Sequence, residues 1–239
     1  MQAGADETAL YALAVDVLID LHRRPAAETL PDDLPLYDAG RLLEEASLLT
    51  DWFLPATRSE PTPRPVRDAY VAAWREAFTA LEGQPATLVL RDFHVDNLVH
   101  LPDRPGVRAC GLLDFQDAVA GSPAYDLMSL VEDARRDITP ALKAAMIERY
   151  VAAMPGLHRR AFDAAFAVLA AQRHAKVIGI FTRLHRRDGK ATYLAHIPRV
   201  WGLLEDALAH PALDAVARWF DQHVPATARG MPPCETVAS

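Results

Sequence analysis

The chain reads as a mainly α protein with one small β-hairpin, an α+β fold class, and three observations predict this. Apolar residues recur at helical spacing along most of the 239 positions. Short β-type runs are confined to one window, from "TLVL" at residue 87 to the end of "VRACGLL" at residue 113. Between the last two of those runs stands "PDRPG", which supplies the turn a hairpin needs.

The elements follow in order. From Asp6 to Arg24, the residues Leu10, Leu13, Ala14, Val17, Leu18 and Leu21 share one helical face, and Pro25 ends the helix. A second helix is expected over Leu36–Phe53 and a third over Val66–Leu81, with the proline-rich "LPATRSEPTPRP" between them as a loop. The β window then supplies "TLVL", "NLVHL" and "VRACGLL", read together as a small hairpin flanked by polar loops. Beyond Gly121 the helical period returns. It predicts helices near Ala124–Ala134, Pro140–Ala153, Arg159–Leu184, Ala191–Ala209 and Ala212–His223. Residues 1–224 are read as the folded part and 225–239 as a flexible polar tail.

Composition narrows the function classes. With 51% hydrophobic residues the chain has a core to bury, and a net charge of −7 argues against a nucleic-acid partner. Cys110 and Cys234 offer neither a disulfide framework nor a metal cluster, which fits a cytoplasmic location. The "QAGADETALY" start lacks the pattern of a signal peptide. The apolar "AAFAVLAAQRHAKVIGIF" is interrupted by Arg173, His174 and Lys176, so no membrane partner is expected.

The stretch "LVLRDFHVDNLVHLPDRPGVRACGLLDFQDA" sets Asp92, Asp96, Asp103, Asp114 and Asp117 among apolar runs. Ionised carboxylates there need a cation, a proton-transfer task or solvent. Asp92 and Asn97 form the frame D-x-x-x-x-N, and Asp114 of "LLDF" follows the hairpin. Kinase-type phosphoryl transfer uses this arrangement: an Asp that takes the acceptor hydroxyl's proton, then an Asn and a second Asp on magnesium. Mg²⁺ requires hard oxygen ligands, which Asn97 and Asp114 supply. Alone, D-x-x-x-x-N is a chance pattern. A strand before it, a hairpin after it and "LLDF" closing it make the combination specific.

These residues carry a resemblance. "LRDFHVDNLVHL" and "GLLDFQDAVAGSPAYDL", with the helices around them, resemble the C-terminal lobe of the aminoglycoside phosphotransferase and choline kinase superfamily, which has the protein-kinase-like fold. Most members read H-G-D at the catalytic Asp. This chain reads Leu90-Arg91-Asp92, and with "SLVEDARRDI" that form is most similar to the bacterial anomeric kinases for N-acetylmuramate and N-acetylglucosamine in cell-wall recycling. The resemblance runs from the first helix to about residue 220. It implies Asp92 as catalytic base, Asn97 and Asp114 as Mg²⁺ ligands, ATP as co-substrate and a small sugar as acceptor.

It also implies Asp126 of "AYDL" as a buried acid bracing the catalytic loop, although an acid in a first helical turn is equally accounted for by the helix dipole. Arg91 and His94 would support the loop. Asp96, Gln116, Asp117, Glu132, Arg135 and Arg136 are candidates for acceptor binding, as is Asp133. For "EDARRD" a solvated helix face is the commoner outcome. His94-x-Asp96 as half of a metal-hydrolase site lacks a second histidine cluster. Arg173, His174 and Lys176 either line a cleft or snorkel at a helix edge. Trp52, Trp74, Trp201 and Trp219 read as core or rim.

A kinase of this kind also needs a small lobe with a glycine-rich loop and a phosphate-binding lysine. The eleven glycines form no G-x-G-x-x-G, and the segment before Ala86 contains no lysine. The expectation is therefore a C-terminal lobe whose N-terminal lobe is missing or supplied separately, with an apolar face near the catalytic hairpin. Aminoglycoside, choline and homoserine kinases are the alternatives within the class, and a non-catalytic binding module is the alternative outside it.

Overall fold

The structure, a computed structural model, describes residues 6–233. The helices are α1 Glu7–His22, α2 Ala26–Thr29, α3 Ala39–Ala46, α4 Leu54–Arg58 and α5 Arg64–Phe78, then α6 Ala124–Val131, α7 Pro140–Ala153, α8 Arg159–Asp188, α9 Ile197–Leu208 and α10 Asp214–His223. Four short strands lie between α5 and α6: β1 Thr87–Val89, β2 Leu98–His100, β3 Cys110–Leu112 and β4 Val119–Gly121. The chain forms two compact units, one of residues 6–37 and 83–166, the other of 38–82 and 167–233.

In the first unit α1 starts at Asp6, whose carboxylate accepts the Thr8 N–H at 2.9 Å. Its buried residues are Tyr11, Ala14, Val15, Leu18, Ile19 and His22. The expected face was one residue out of phase, since Leu10, Leu13, Val17 and Leu21 are only half-buried. Both stripes of this helix are apolar, so periodicity alone could not choose between them. α6 is buried at all eight positions and stops at Val131, short of the expected Ala134. α7 has its expected bounds, with Thr139 accepting the Leu142 N–H at 3.1 Å and Pro140 in the first turn.

The β window holds two ladders where one hairpin was expected. β2 and β3 form that hairpin, with Leu98 opposite Leu112 and His100 opposite Cys110. β1 pairs instead with β4, which the sequence reading missed because "VAG" is too short for alternation to show. On the far side of β4, the Tyr37 N–H donates to the Ala120 carbonyl at 2.8 Å and the Ala120 N–H to the Pro35 carbonyl at 2.9 Å. Gly121 permits this layering, because a Cβ there would sit 3.1 Å from the Tyr37 Cβ and 3.3 Å from the Val89 Cγ2.

The second unit is built on aromatic packing. Tyr70 lies against Trp219 with ring centroids 4.4 Å apart, Trp74 stacks on Phe78 at 5.5 Å, and Phe53 meets Trp201 at 5.3 Å. The Tyr70 hydroxyl donates to the Ala46 carbonyl at 3.0 Å, and burial raises its pKa. Trp74, Trp201 and Trp219 are core; Trp52 is half-buried.

The expected helix over 36–53 is divided into α3 and a π-helical turn at Leu49–Phe53. There the Leu48 backbone lies against Gly179 of α8 so closely that a Cβ on Gly179 would overlap it. The expected loop "LPATRSEPTPRP" is helical over its first five residues, because Pro55 falls in the first turn of α4, where no N–H is needed. Ser59, at φ 56°, ends α4 in the left-handed region.

The polar residues that interrupt α8 face partners rather than solvent. Gln172 Nε2 donates to the Leu42 carbonyl at 2.9 Å, Lys176 pairs with Glu45 at 3.0 Å, and His174 is buried. By length and composition α8 could cross a membrane, but most of its apolar window is buried inside the protein. The helices expected at 191–209 and 212–223 begin later, as α9 and α10, each after a short 3₁₀ turn. The described part of the expected tail includes Arg229, bonded to Asp221 at 2.7 Å, Glu205 at 3.2 Å and the Val224 carbonyl at 2.9 Å. The remainder of the tail, with Cys234, lies outside the described residues, as do residues 1–5.

Candidate active site

β1 delivers the chain into a tight turn. The Asp92 N–H donates to the Leu90 carbonyl at 2.9 Å, and the intervening Arg91 has φ 68°. A γ-type turn with positive φ at a residue bearing a Cβ is strained and persists only when its surroundings hold it. Three contacts do so here. Asp126, fully buried at the start of α6, accepts the Leu90 N–H through Oδ2 at 2.6 Å and the Arg91 N–H through Oδ1 at 3.0 Å. The Arg91 guanidinium lies 5.5 Å from the centre of the Tyr37 ring. Tyr37 is located in turn by Tyr125, hydroxyl to hydroxyl at 3.1 Å.

The five-residue spacing of Asp92 and Asn97 has a local cause. Residues 95–97 make one 3₁₀ turn, and the Asn97 Nδ2 reaches back to donate to the Asp92 carbonyl at 2.9 Å. A second contact, 3.4 Å long, runs from that nitrogen to Nε2 of the buried His94. The Asn97 backbone carbonyl accepts the Leu113 N–H at 2.9 Å, which extends the β2–β3 ladder by one pair and sets Asp114 one residue beyond it. Asp114 is exposed, sits at φ 58° and accepts from Gln116 Nε2 at 2.5 Å.

These donors suit a hard divalent cation. Asn97 commits its amide nitrogen to Asp92, so its oxygen is the atom turned away and available, and Asp114 presents a solvent-facing carboxylate. Among the described residues no three His, Cys, Asp or Glu side chains form a cluster that could hold a metal ion. An open site of one carboxylate and one amide, completed by phosphate oxygens and water, is the usual protein contribution to Mg²⁺.

Asp96 and Asp117 are exposed. Glu132 and Asp133 are not on a solvated helix face: α6 has already ended, and both side chains are buried. Glu132 pairs with Lys143 at 2.6 Å, and Asp133 accepts the Arg135 N–H at 2.9 Å. Arg136 is bonded to Glu7 at 2.6 Å, while Arg135 is exposed. The sequence reading missed Tyr37, whose ring carries Arg91, because nothing local marks a loop tyrosine as the partner of a residue 54 positions away. A cavity of about 320 Å³ adjoins the hairpin, lined by Leu10, Leu13, Val95, Leu98, Cys110 and Leu130. Burial there raises the Cys110 thiol pKa. Among the described residues, Val99, Leu113 and Phe115 are large apolar side chains left exposed on or beside the same hairpin.

Residues 1–162 match the family described as the phosphotransferase enzyme family. The chain belongs to that family. One relative of this family member is the N-acetylmuramate/N-acetylglucosamine kinase of Caulobacter vibrioides, 38% identical across 96% of this chain and 64% of its own length. The chain spans 58% to 64% of the length of the curated relatives it matches. Among solved structures it resembles a choline/ethanolamine kinase family protein from Mesorhizobium loti, with TM-score 0.58, 13% identity and coverage of 90% of this chain and 66% of that one. It also resembles the GDP complex of aminoglycoside 2'-phosphotransferase-IIIa, with TM-score 0.54, 16% identity and coverage of 85% and 64%. The mainly helical architecture with small strands resembles the fold of the matched part of those structures.

Proposed function

We propose that this chain carries the acceptor and metal-binding lobe of an ATP-dependent sugar kinase, which phosphorylates the anomeric hydroxyl of N-acetylmuramate or N-acetylglucosamine in cytoplasmic cell-wall recycling. The observation that supports this reading is the closed Asp92–Asn97 loop, with Leu113, the residue before Asp114, bonded to the Asn97 carbonyl. Relatives named for that activity support the choice of acceptor. One ADP-bound and one GDP-bound structural neighbour support a purine nucleoside triphosphate as co-substrate, here read as ATP.

In this reading Asp92 accepts the proton of the acceptor hydroxyl as its oxygen attacks the γ-phosphorus. Asn97 and Asp114 would hold Mg²⁺, which offsets charge on the transferred group. Asp126 holds the turn that aims Asp92, so the base keeps its position as the proton moves. The apolar cavity beside Leu98 offers a wall to the nucleotide base. Of the two arginines, Arg135 is the more exposed, which makes it the candidate for an acidic acceptor. The remaining share of its relatives' length would supply the glycine-rich loop and lysine over the phosphates.

ADP release by the lobe-completed protein tests this, with N-acetylmuramate, N-acetylglucosamine, choline, homoserine and an aminoglycoside as acceptors. Turnover should be confined to the amino sugars, and Asp92→Asn should lower kcat by about 10²- to 10⁴-fold, the usual range for losing a general base. Equal turnover by that variant removes Asp92 from the base role. Saturable sugar binding without turnover would point to a binding module instead.

A further inference from the structure

β1 has a paired side and an open side. Ala120 of β4 turns both its N–H and its carbonyl toward residues 35–37. In an antiparallel ladder two opposed residues either exchange both backbone bonds or both face away, so Leu88, opposite Ala120, must also turn its polar groups outward. Leu90 has the same parity. Two outward groups at the end of β1 therefore need partners, and both find side chains. The Leu90 N–H is taken by Asp126. The Leu88 carbonyl is taken by His22, at the C-terminal end of α1, whose Nε2 lies 3.1 Å away.

His22 is itself held. Its Nδ1 lies 2.7 Å from the hydroxyl of Tyr150 on α7, and the two rings meet edge to face at 5.9 Å. Tyr150 is fully buried and stacks on Phe162 at 5.7 Å. With Nε2 donating to the carbonyl, Nδ1 is the acceptor and the Tyr150 hydroxyl the donor, which fixes a neutral imidazole in one tautomer. Helix, helix and strand thus meet on one ring.

We propose that His22 is a positioning residue for Asp92: together with Asp126 it clamps the open edge of the strand that leads into the catalytic turn. The clamp has one point two residues before the turn and the other at its start. This rests on reading Asp92 as the base, but the clamp itself can be measured without turnover. Because Arg91 is strained, loosening β1 at Leu88 would let the turn relax and carry the Asp92 carboxylate with it.

Two variants, each of which mimics one ring nitrogen, separate positioning from packing. The amide nitrogen of Gln reaches where Nε2 sits, whereas that of Asn reaches only as far as Nδ1. In the full chain, H22N should speed hydrogen exchange at the Leu90 and Arg91 amides by about tenfold, with H22Q close to the wild type and the β2–β3 amides unchanged. Tyr150→Phe, which frees the ring but keeps the donor, should give a smaller rise at the same two amides. With an amino sugar as acceptor, H22N should lower kcat while KM holds, and H22Q should restore it. Equal exchange at those amides in H22N, H22Q and the wild type would overturn the proposal, as would an effect of Tyr150→Phe spread evenly over the unit. If the lobe-completed wild type turns over no sugar, the proposed function fails, and the exchange measurement still decides the clamp.

Discussion

The two units bear strain and polarity in opposite ways. In the first, two residues with a Cβ, Arg91 and Asp114, sit at positive φ within the candidate site, and exposed carboxylates stand beside exposed Leu113 and Phe115. In the second, the one residue of that kind among those described is Ser59, where a helix ends, and large aromatic side chains are packed out of solvent. Strain at a helix end is ordinary chain punctuation. Strain at two acid-bearing loops, one braced by a buried carboxylate, marks where the fold holds a geometry the backbone would not choose alone. The first unit sets a site beside its core, whereas the second shows a core alone among its described residues.

Removing a core ring from the second unit should have the largest effect on stability. Trp201→Ala should destabilise by about 3–5 kcal/mol, read as a lower midpoint in urea unfolding. Exchange at Leu90 and Arg91 under native conditions should be unaffected; a matching rise there would break the distinction between the units.

Acid should act on the first unit. Burial lowers the His22 pKa from 6.5 to about 4, so the folded state keeps the ring neutral while the unfolded chain takes up the proton first. The associated stability is complete above pH 6.5 and is lost as pH falls through 4, roughly 3 kcal/mol in all. Urea midpoints measured from pH 7 to pH 4 should show that slope in the wild type and a flatter one in H22Q. Identical slopes would mean that other groups carry the acid sensitivity.

The smallest change concerns Ser59. Ser59→Gly should stabilise by about 0.5–1 kcal/mol, because glycine adopts positive φ without steric cost. Loss of stability on thermal unfolding would show that the serine side chain has a role of its own.

The sequence by itself determined the helical character, the β2–β3 hairpin and the D-x-x-x-x-N frame, because each depends on neighbours a few positions apart: period, turn residues and one 3₁₀ turn. Only the tertiary structure decided which apolar stripe of α1 is core, that "VAG" pairs with β1, and that Tyr37 carries Arg91. It also decided that Glu132 is buried against Lys143 instead of lying on a solvated helix face. The physical reason is reach. A local pattern states what a segment can bury, donate or accept, but the partner it meets, as the Leu88 carbonyl meets the His22 Nε2–H across 66 positions, exists only once distant elements have packed.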